Sequence, residues 1–354
     1  MKIAKATSRY ETWLGGHLRL VRKDLNLKHE RMAQDAFPFF RATFYRWAQL
    51  FPEHEGDLLK APRVLGVGDL HAENFGTWRD AEGRLVWGIN DFDEACRIPF
   101  TNDLVRLAAS LILAQADAKL AVGQHDAADA LLGGYTDALA HGGRAVVLAE
   151  HHPALWAMAV HRLHAPETWW DKLNQCRAVR AIPKGAAKAL TRALPDQTLK
   201  VRVVHRVAGL GSLGRERYVA IADWHGGQVA REAKALAPSA WSWAQPKAGS
   251  RLLYKECVAR AVRCGDPFLS VSRRWITRRL APDCSRIELG QLPKERDESR
   301  LLHAMGWETA NVHLGSQSAK ALRADLRRRP KAWLAEAAER MAGVMGQEWK
   351  AWRG

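Results

Sequence analysis

Three polar side chains at the ends of short apolar segments constrain the fold of this chain more than any other sequence feature. An apolar strand, Val64 to Val67, leads into the loop GDLHAENF, after which the runs FGTW and RLVWGIN flank the turn signal DAEG. A hairpin brings its two ends together, so Asn74 and Asp91 should face each other with Asp69 nearby. The sequence therefore predicts a strand, a loop and a hairpin whose open end gathers these side chains.

The residue types at this open end suit phosphoryl transfer. In that reaction one Asp orients or deprotonates the attacking hydroxyl, while an Asn and a second Asp hold the metal beside the phosphates. Asp69 and Asn74 have the DxxxxN spacing of a kinase catalytic loop, and Asp91 opens a DFD sequence. We expect Asp69 to be catalytic, and Asn74 and Asp91 to bind Mg²⁺ or Mn²⁺, because hard cations prefer oxygen ligands. Asp93 either assists the metal or has a structural role.

Three neighbouring residues complete the predicted site. His71 either braces the loop through hydrogen bonds or serves as a catalytic base. Asp103 either caps the helix that begins beside it or braces the loop from behind, and Arg106, one turn later, should pair with an acidic neighbour. Two other interpretations stay open. The DFD sequence also fits a surface turn or the metal motif of a nucleotide-sugar transferase, which would use Asp91 and Asp93, although the chain lacks a βαβ pattern.

A second motif is the glycine-rich segment GLGSLG at residues 209–214. In a dinucleotide-binding fold this spacing lies between a strand and a helix. Here the alternating run RERYVAIAD and the turn HGG follow, so a β-hairpin is predicted instead. Glycines let backbone N–H groups approach phosphates closely, and this interpretation assigns nucleotide binding to Gly209, Gly211, Ser212 and Gly214. The alternative is an ordinary hairpin that is rich in glycine.

The remainder of the chain is predicted to consist of helices around these β segments. Residues 1–60 form an N-terminal helical segment, residues 61–195 a catalytic region, residues 196–290 a β-rich nucleotide-binding region and residues 291–354 C-terminal helices. Because strands do not alternate regularly with helices, the pattern is typical of an α+β fold.

Charge and hydropathy indicate the kind of partner. Lys and Arg number 54 against 38 Asp and Glu, and the net charge of +16 favours nucleotides, phosphorylated metabolites or nucleic acid. No RRM, zinc-finger or KH signature accompanies this charge, so nucleic-acid binding stays open and is not predicted. The longest apolar run, Leu107 to Ala114, is too short to span a bilayer, and no signal peptide is visible. Five cysteines without a CxxC pair fit a reducing compartment. We therefore expect a cytoplasmic protein without a membrane partner.

At these motifs the chain resembles the bacterial "domain of unknown function" family numbered 2252. That family carries a GDxHxxNFG loop, an NDFDE motif and a DLxRLAxS helix, which here occupy Gly68–Gly76, Asn90–Glu94 and Asp103–Ser110. The first two motifs are also similar to those of aminoglycoside and choline phosphotransferases, within the protein-kinase-like superfamily. The resemblance implies a bilobal fold and an ATP-dependent transfer, and it implies no particular acceptor.

The order of the motifs departs from that of an ordinary kinase, in which the glycine loop precedes the catalytic loop. The resemblance therefore implies a circular permutation, which costs little where termini lie close together on a surface. It also places Arg231 where the family usually has a phosphate-binding Lys, and Lys234 on the opposite face of the strand. We accordingly expect Arg231 to point into the cleft and Lys234 to point away from it.

Two functions follow from these expectations. The first is an ATP- and Mg²⁺-dependent phosphotransferase that transfers a phosphoryl, or alternatively a nucleotidyl, group to an unknown hydroxyl acceptor on a small molecule or a protein. The second is a catalytically impaired, kinase-like scaffold that binds nucleotide or docks nucleic acid. The second function follows from Arg231 in the expected lysine position, because Arg is not equivalent to Lys where a phosphate needs a point charge.

Overall fold

The computed structural model describes residues 1–118, 122–161, 166–284 and 295–354 of the chain. Its helices are α1 (Ile3–His17), α2 (Arg22–Gln34), α3 (Ala36–Ala42), α4 (Phe44–His54), α5 (Phe100–Ala118), α6 (Gln124–His141), α7 (Leu148–His151), α8 (Pro153–His161), α9 (Pro166–Asn174), α10 (Lys184–Ala193), α11 (Ala240–Ala244), α12 (Tyr254–Arg260), α13 (Glu295–Leu314), α14 (Ala319–Leu326) and α15 (Trp333–Arg353). Its strands are β1 (Arg63–Gly66), β2 (Phe75–Arg79), β3 (Leu85–Ile89), β4 (Cys96–Pro99), β5 (Val146–Val147), β6 (Arg202–His205), β7 (Arg217–Trp224), β8 (Gly227–Ala235), β9 (Ser270–Ser272) and β10 (Trp275–Leu280). The fold is α+β, as the sequence predicts.

The N-terminal segment is helical because apolar and aromatic side chains recur on the faces that turn inward. Asp35 Oδ1 accepts a hydrogen bond from the Phe37 N–H and so caps α3. Phe40 and Trp47, on α3 and α4, are fully buried, and their ring centroids lie 5.5 Å apart in an edge-to-face arrangement. This aromatic layer backs the loop that follows β1.

Antiparallel pairs frame that loop, residues 67–74, which we call the acidic loop. β1 pairs with β4, and β2 pairs with β3 with Phe75 opposite Ile89. The Asn90 N–H donates to the Asn74 carbonyl oxygen at 2.9 Å and closes the open end of the hairpin. The predicted hairpin is therefore confirmed, and the strand predicted at residues 64–67 begins and ends one residue earlier.

The β-rich region holds the largest sheet in the described part of the chain. Five antiparallel strands run in the order β6-β7-β8-β10-β9. Residues 209–214, which we call the glycine loop, connect β6 to β7, so the predicted hairpin is confirmed and a dinucleotide geometry is excluded. The run WITRRL at residues 275–280 favours a further strand, and β10 occupies it from Trp275 to Leu280. The predicted boundary between residues 290 and 291 lies outside the described residues.

The C-terminal helices pack against the helices that precede the sheet. The largest helix–helix contact joins α6 to α13, and α15 lies along α5. Two glycines allow α6 and α13 to approach closely: a Cβ on Gly134 would overlap the carbonyl oxygen of His303, and one on Gly306 would overlap that of Leu131. None of the helices in the described part of the chain combines the length and the apolarity that a bilayer crossing requires.

Glu308, on α13, is a buried carboxyl group beneath the β2–β3 hairpin. Its two oxygens accept hydrogen bonds from the Ile89 N–H at 3.3 Å and from Asn311 Nδ2 at 2.8 Å. Gly88 leaves room for it, because a Cβ there would overlap the carboxyl group. Burial raises the pKa of Glu308 to about 7. Glu308 therefore becomes charged near neutral pH in a site that disfavours the charge.

The glycine contact between α6 and α13 can be tested with adjacent residues. Gly134→Ala should lower the free energy of unfolding by about 1–3 kcal/mol, because the new methyl group meets backbone that cannot rotate away. Gly133→Ala is the matched control, since its Cβ would meet no atom nearer than 3.8 Å. At position 133 only the higher helix propensity of Ala acts, and it should raise the free energy of unfolding slightly. Urea unfolding midpoints measure both effects, and equal midpoints would contradict the close packing.

Glu308 should make the stability of the protein depend on pH. Its folded-state pKa lies above its unfolded value, so its contribution is fully present below about pH 4.5 and is lost as pH rises to about 7. The loss is on the order of 3 kcal/mol. Glu308→Gln should flatten this decline in urea midpoints between pH 4.5 and 7.5, whereas Glu53→Gln, at an exposed position, should leave it in place. An unchanged slope in Glu308→Gln would show that another group causes the decline.

Candidate functional site

The acidic loop, the end of the hairpin and the glycine loop meet at a small cavity of about 30 Å³. Eight of the predicted site residues line it: Asp69, His71, Asn74, Asp91, Asp93, Gly209, Gly211 and Ser212. Asp103 and Arg106 lie behind the acidic loop, and Gly214 and Arg231 do not line the cavity. The structure thus brings together segments that lie far apart in the sequence.

Asp103 holds the acidic loop from behind. Its carboxylate, which is fully buried, accepts hydrogen bonds from the Val67 N–H at 2.6 Å and the Gly68 N–H at 3.0 Å. Gly68 has a φ of 80°, and a Cβ there would overlap the Glu94 carbonyl oxygen, so only glycine fits this turn. Of the two roles predicted for Asp103, the structure shows the bracing contact.

Arg106 fixes the orientation of Asp69. The Arg106 Nε donates to Asp69 Oδ1 at 3.0 Å, and a second guanidinium nitrogen forms a closer ion pair with the same oxygen. Arg106 is fully buried, and its guanidinium lies 4.0 Å from the centroid of the Phe40 ring. Burial raises the pKa of Asp69, and Arg106 opposes that rise. Asp69 keeps 17% of its side-chain surface exposed, so it stays accessible from the cavity.

His71 and Asn74 cap the short turn between them. His71 Nδ1 accepts a hydrogen bond from the Glu73 N–H at 3.2 Å, and Asn74 Oδ1 accepts one from the His71 N–H at 2.7 Å. This reciprocal arrangement is a capping box built from a histidine and an asparagine. Both hydrogen bonds of His71 described above hold the acidic loop in place, as the bracing role requires. The Asn74 oxygen retains a second lone pair beside the cavity.

Lys234 contacts the carboxylates of the hairpin end. Lys234 Nζ lies 2.6 Å from Asp93 Oδ2 and 3.5 Å from Asp91 Oδ1. Burial alone would raise the pKa of Asp91, but Lys234 and Arg278 hold it well below its usual range. Burial and the charge of Asp91 raise the pKa of Asp93. One cation therefore serves two carboxylates that have different proton affinities.

The prediction that Arg231 points into the cleft and Lys234 away from it is wrong. The Arg231 Nε donates to the carbonyl oxygen of Ala193, and its guanidinium lies 4.9 Å from the centroid of the Phe268 ring, on the face of β8 opposite to Lys234. Successive residues of a strand face opposite sides, so residues three positions apart do not share a face. The prediction therefore assigned the residues of β8 to the wrong faces of the strand, a shift of one residue in the inward–outward alternation.

The glycine loop rests on the acidic loop. A Cβ on Gly211 would come within 3.1 Å of Asp69 Oδ2 and 3.0 Å of the Arg41 carbonyl oxygen, so a larger residue would push the two loops apart. Gly209 has a φ of 71° and allows the turn out of β6. Ser212 Oγ accepts a hydrogen bond from Arg217 at 2.7 Å. Gly214 instead packs on α2, where a Cβ would overlap Leu25.

Arg215 is a cavity residue that the sequence analysis did not identify. Its NH2 nitrogen donates to Glu94 Oε1 at 2.6 Å. Its NH1 nitrogen is buried, lies 3.8 Å from Asp93 Oδ2 and has no hydrogen-bond partner among the residues that the structure describes. The one available signal in the sequence was the position of Arg215 directly after Gly214, which places a cation beside the glycine loop.

The oxygen atoms at the hairpin end fit a hard divalent cation. Asp93 Oδ1 is buried and finds no hydrogen-bond partner within the described ranges. Asp91 keeps 30% of its side chain exposed, and Asn74 adds an amide oxygen at the same cavity. No group of three or more His, Cys, Asp or Glu side chains in the described residues is arranged to hold a metal ion. The candidate ligands for a metal ion are therefore two carboxylates and one amide oxygen.

A larger cavity of about 340 Å³ adjoins the small one. The two cavities share Asp91 and Gly209. Five arginines line the larger cavity: Arg206, Arg217, Arg263, Arg278 and Arg279. The sequence analysis did not single out these arginines, because they come from different strands and loops. A cavity of this volume lies within the range of small-molecule sites.

Comparison with known proteins supports the resemblance seen in the sequence motifs. The family model described as "Uncharacterized protein conserved in bacteria (DUF2252)" matches residues 19–168 and 159–354. A search of the curated proteins and a search of the solved structures gave no significant match. The matched segments contain the acidic loop, the hairpin and the glycine loop, and they extend over more than half of the sequence. The chain therefore belongs to the DUF2252 family.

Proposed function

We propose that this protein transfers a phosphoryl group from Mg²⁺-bound ATP to a hydroxyl acceptor, within a bilobal, kinase-like cleft whose lobes occur in permuted order. One observation carries the proposal: Asp69, the Asp91–Asp93 pair and the glycine loop line adjoining cavities, and Lys234 contacts Asp91 and Asp93. Positioned charges of these types are what phosphoryl transfer requires of a protein. The phosphoryl transfer and the permuted kinase-like arrangement are both parts of this proposal.

Asp69 is the group that acts on the acceptor. Arg106 and the backbone hydrogen bonds to Asp103 hold it in one orientation. Burial raises its pKa, which makes the carboxylate a stronger base than an exposed Asp. It accepts the proton of the attacking hydroxyl and directs the oxygen toward the phosphorus.

Asn74, Asp91 and Asp93 are the residues that would hold Mg²⁺ or Mn²⁺. When bound, the cation neutralises phosphate charge and polarises the transferred group. Lys234 is already seated on Asp93 and Asp91, so phosphate oxygens can replace the carboxylates as its partners when the nucleotide enters. Gly211 allows the glycine loop to lie close over the transferred group, since no side chain intervenes.

The position of Lys234 weakens the alternative of an impaired scaffold. That alternative rested on Arg231 as a replacement for the phosphate-binding lysine. Lys234 instead lies beside Asp91 and Asp93, whereas Arg231 belongs to the other face of the sheet. The proposed catalytic set therefore contains a buried lysine together with its acidic partners.

Nucleotide labelled on either the γ- or the α-phosphate tests the proposed function. With Mg²⁺ and a library of hydroxyl acceptors, γ-label should move to an acceptor, whereas transfer of α-label would indicate nucleotidyl transfer. Asp69→Asn should slow transfer by roughly 10²–10⁴-fold, the usual contribution of a positioned base. Asp57→Asn, at an exposed position, is the matched control and should transfer at the wild-type rate. Absence of transfer from either label with every acceptor would contradict the proposal.

Thermal melting separates nucleotide binding from transfer. At a hundredfold excess over Kd, Mg²⁺-ATP should stabilise the protein by roughly 2.7 kcal/mol, a melting shift of about 4 °C. Asp69→Asn should keep this shift, because Asp69 acts on the acceptor. Asp91→Ala should lose the metal-dependent part of it, since the remaining ligands hold Mg²⁺ poorly against water. An Mg²⁺-dependent shift that persists in Asp91→Ala would exclude Asp91 as a ligand.

A further inference from the structure

The larger cavity contains an arginine cluster whose arrangement the proposed function does not explain. We call Arg206, Arg217 and Arg278 the arginine fan, because all three contact the buried carboxylate of Glu232. Arg206 follows β6, Arg217 begins β7, and Arg278 on β10 lies directly opposite Glu232 on β8. Four segments of the sheet region therefore converge on one carboxylate.

Glu232 holds the arginine fan by direct hydrogen bonds. Its oxygens accept from Arg206 NH1 at 2.7 Å, from Arg278 Nε at 3.0 Å and from Arg217 NH1 at 3.2 Å. Glu232 is 1% exposed, and the three guanidinium groups hold its pKa well below the usual range against the effect of burial. The carboxylate is therefore ionised, and each arginine has a fixed position.

The arginine fan keeps a surplus of positive charge. Three guanidinium groups against one carboxylate leave a net charge of +2. Arg206 and Arg278 retain 27% and 26% of their side-chain surface, and both line the cavity of about 340 Å³. An arginine has five N–H donors, and Glu232 engages only some of them. The remaining donors of these two side chains are available to a ligand with several acceptor oxygens.

A further arginine of the cavity, Arg263, lies against the aromatic side chains of its wall. The Arg263 guanidinium lies 4.4 Å from the Trp78 ring and 5.2 Å from the Phe92 ring, so it covers faces on which a nucleobase would stack. The Arg263 Nε is itself buried and has no hydrogen-bond partner in the described part of the chain. Arg263 thus adds a cation at the aromatic wall, while Asp91 and Asp266 are the carboxylates that line the same cavity.

The arginine fan and Lys234 lie on one continuous path. Glu232 and Lys234 share a face of β8 two residues apart, a separation of roughly 7 Å. Asp91 and Gly209 border both cavities, so the arginine fan and the small cavity adjoin at these two residues. A short chain of linked phosphoryl groups spans this distance and offers acceptor oxygens along its whole length.

We propose that the larger cavity is a polyphosphate-binding site in which the arginine fan holds the phosphate chain of the donor without a metal ion. The assignment of this chain to a donor rests on the proposed function, whereas the anion site itself rests on the arginine fan. The chain belongs either to a nucleoside triphosphate or to an inorganic polyphosphate, since both present the same oxygens. Charge-assisted, multidentate contacts from arginine are the strongest that a protein offers to phosphate.

Calorimetric titration with tripolyphosphate and with ATP, both in excess EDTA, tests the site. Wild-type protein should bind tripolyphosphate, and Arg206→Gln and Arg278→Gln should each weaken binding about tenfold or more, because each removes a charge-assisted contact. Arg340→Gln is the matched control: Arg340 also pairs with a glutamate, Glu55, but lies on α15 away from the cavity, and affinity should stay unchanged. Equal affinities for ATP and tripolyphosphate would identify the chain alone as the ligand, and tighter ATP binding would add a nucleoside contact.

Two results would overturn the site. One is the absence of binding of either compound to wild-type protein without metal, and the other is wild-type affinity in both Arg206→Gln and Arg278→Gln. Urea midpoints of the variants distinguish a lost ligand contact from a lost structural one, since a structural role alone would lower the midpoint and leave the affinity intact. Metal-free binding without any label transfer would therefore keep the anion site and reject the phosphotransferase.

Discussion

The buried carboxylate of Asp103 is the contact on which the geometry of the candidate site depends. β1 ends at Gly66, so the next two N–H groups have left the ladder and need another acceptor. Asp103 supplies it, and His313 Nε2 lies 3.1 Å from the same carboxylate while Tyr135 contacts the other ring nitrogen at 2.9 Å. α5, α6 and α13 therefore meet behind the acidic loop. The position of Asp69 is set by this junction of three helices.

Ion pairs connect the acidic loop and hairpin to other segments of the chain. Asp69 pairs with Arg106 of α5, Asp93 with Lys234 of β8, and Glu94 with Arg215 beside the glycine loop. Buried ion pairs contribute little net stability, but removal of one partner leaves an uncompensated charge. The five-stranded sheet is thus held over the acidic loop by charges that also form the site. Under the proposed function, a phosphate ligand would compete with the carboxylates for the same cations.

The sequence predicted the elements that local pattern controls and missed the contacts that long-range pairing controls. The strand from Trp275 to Leu280 and the glycine loop in a hairpin could be read from alternation and turn residues. The sequence does not reveal which face of β8 turns inward, because the segment AREAK has a basic side chain on each face of the strand. A shift of one residue in the alternation turns Arg231 inward in place of Lys234. The arginine fan was not predicted either, because its three arginines are far apart in the sequence and only the folded sheet brings them to Glu232.

The close approach of Gly211 to Asp69 narrows the small cavity, because no side chain separates the glycine loop from the acidic loop. A volume of about 30 Å³ holds about two water molecules, so the proposed function requires the glycine loop to lift before a phosphoryl group enters. Lys28 Nζ donates to the Gly211 carbonyl oxygen at 3.1 Å and favours the closed position. The apparent Kd then equals the intrinsic Kd divided by the open fraction. Under the proposed function, a compound with few contacts would not offset the free energy needed to lift the loop, and a donor would be shielded from water until its acceptor is also bound.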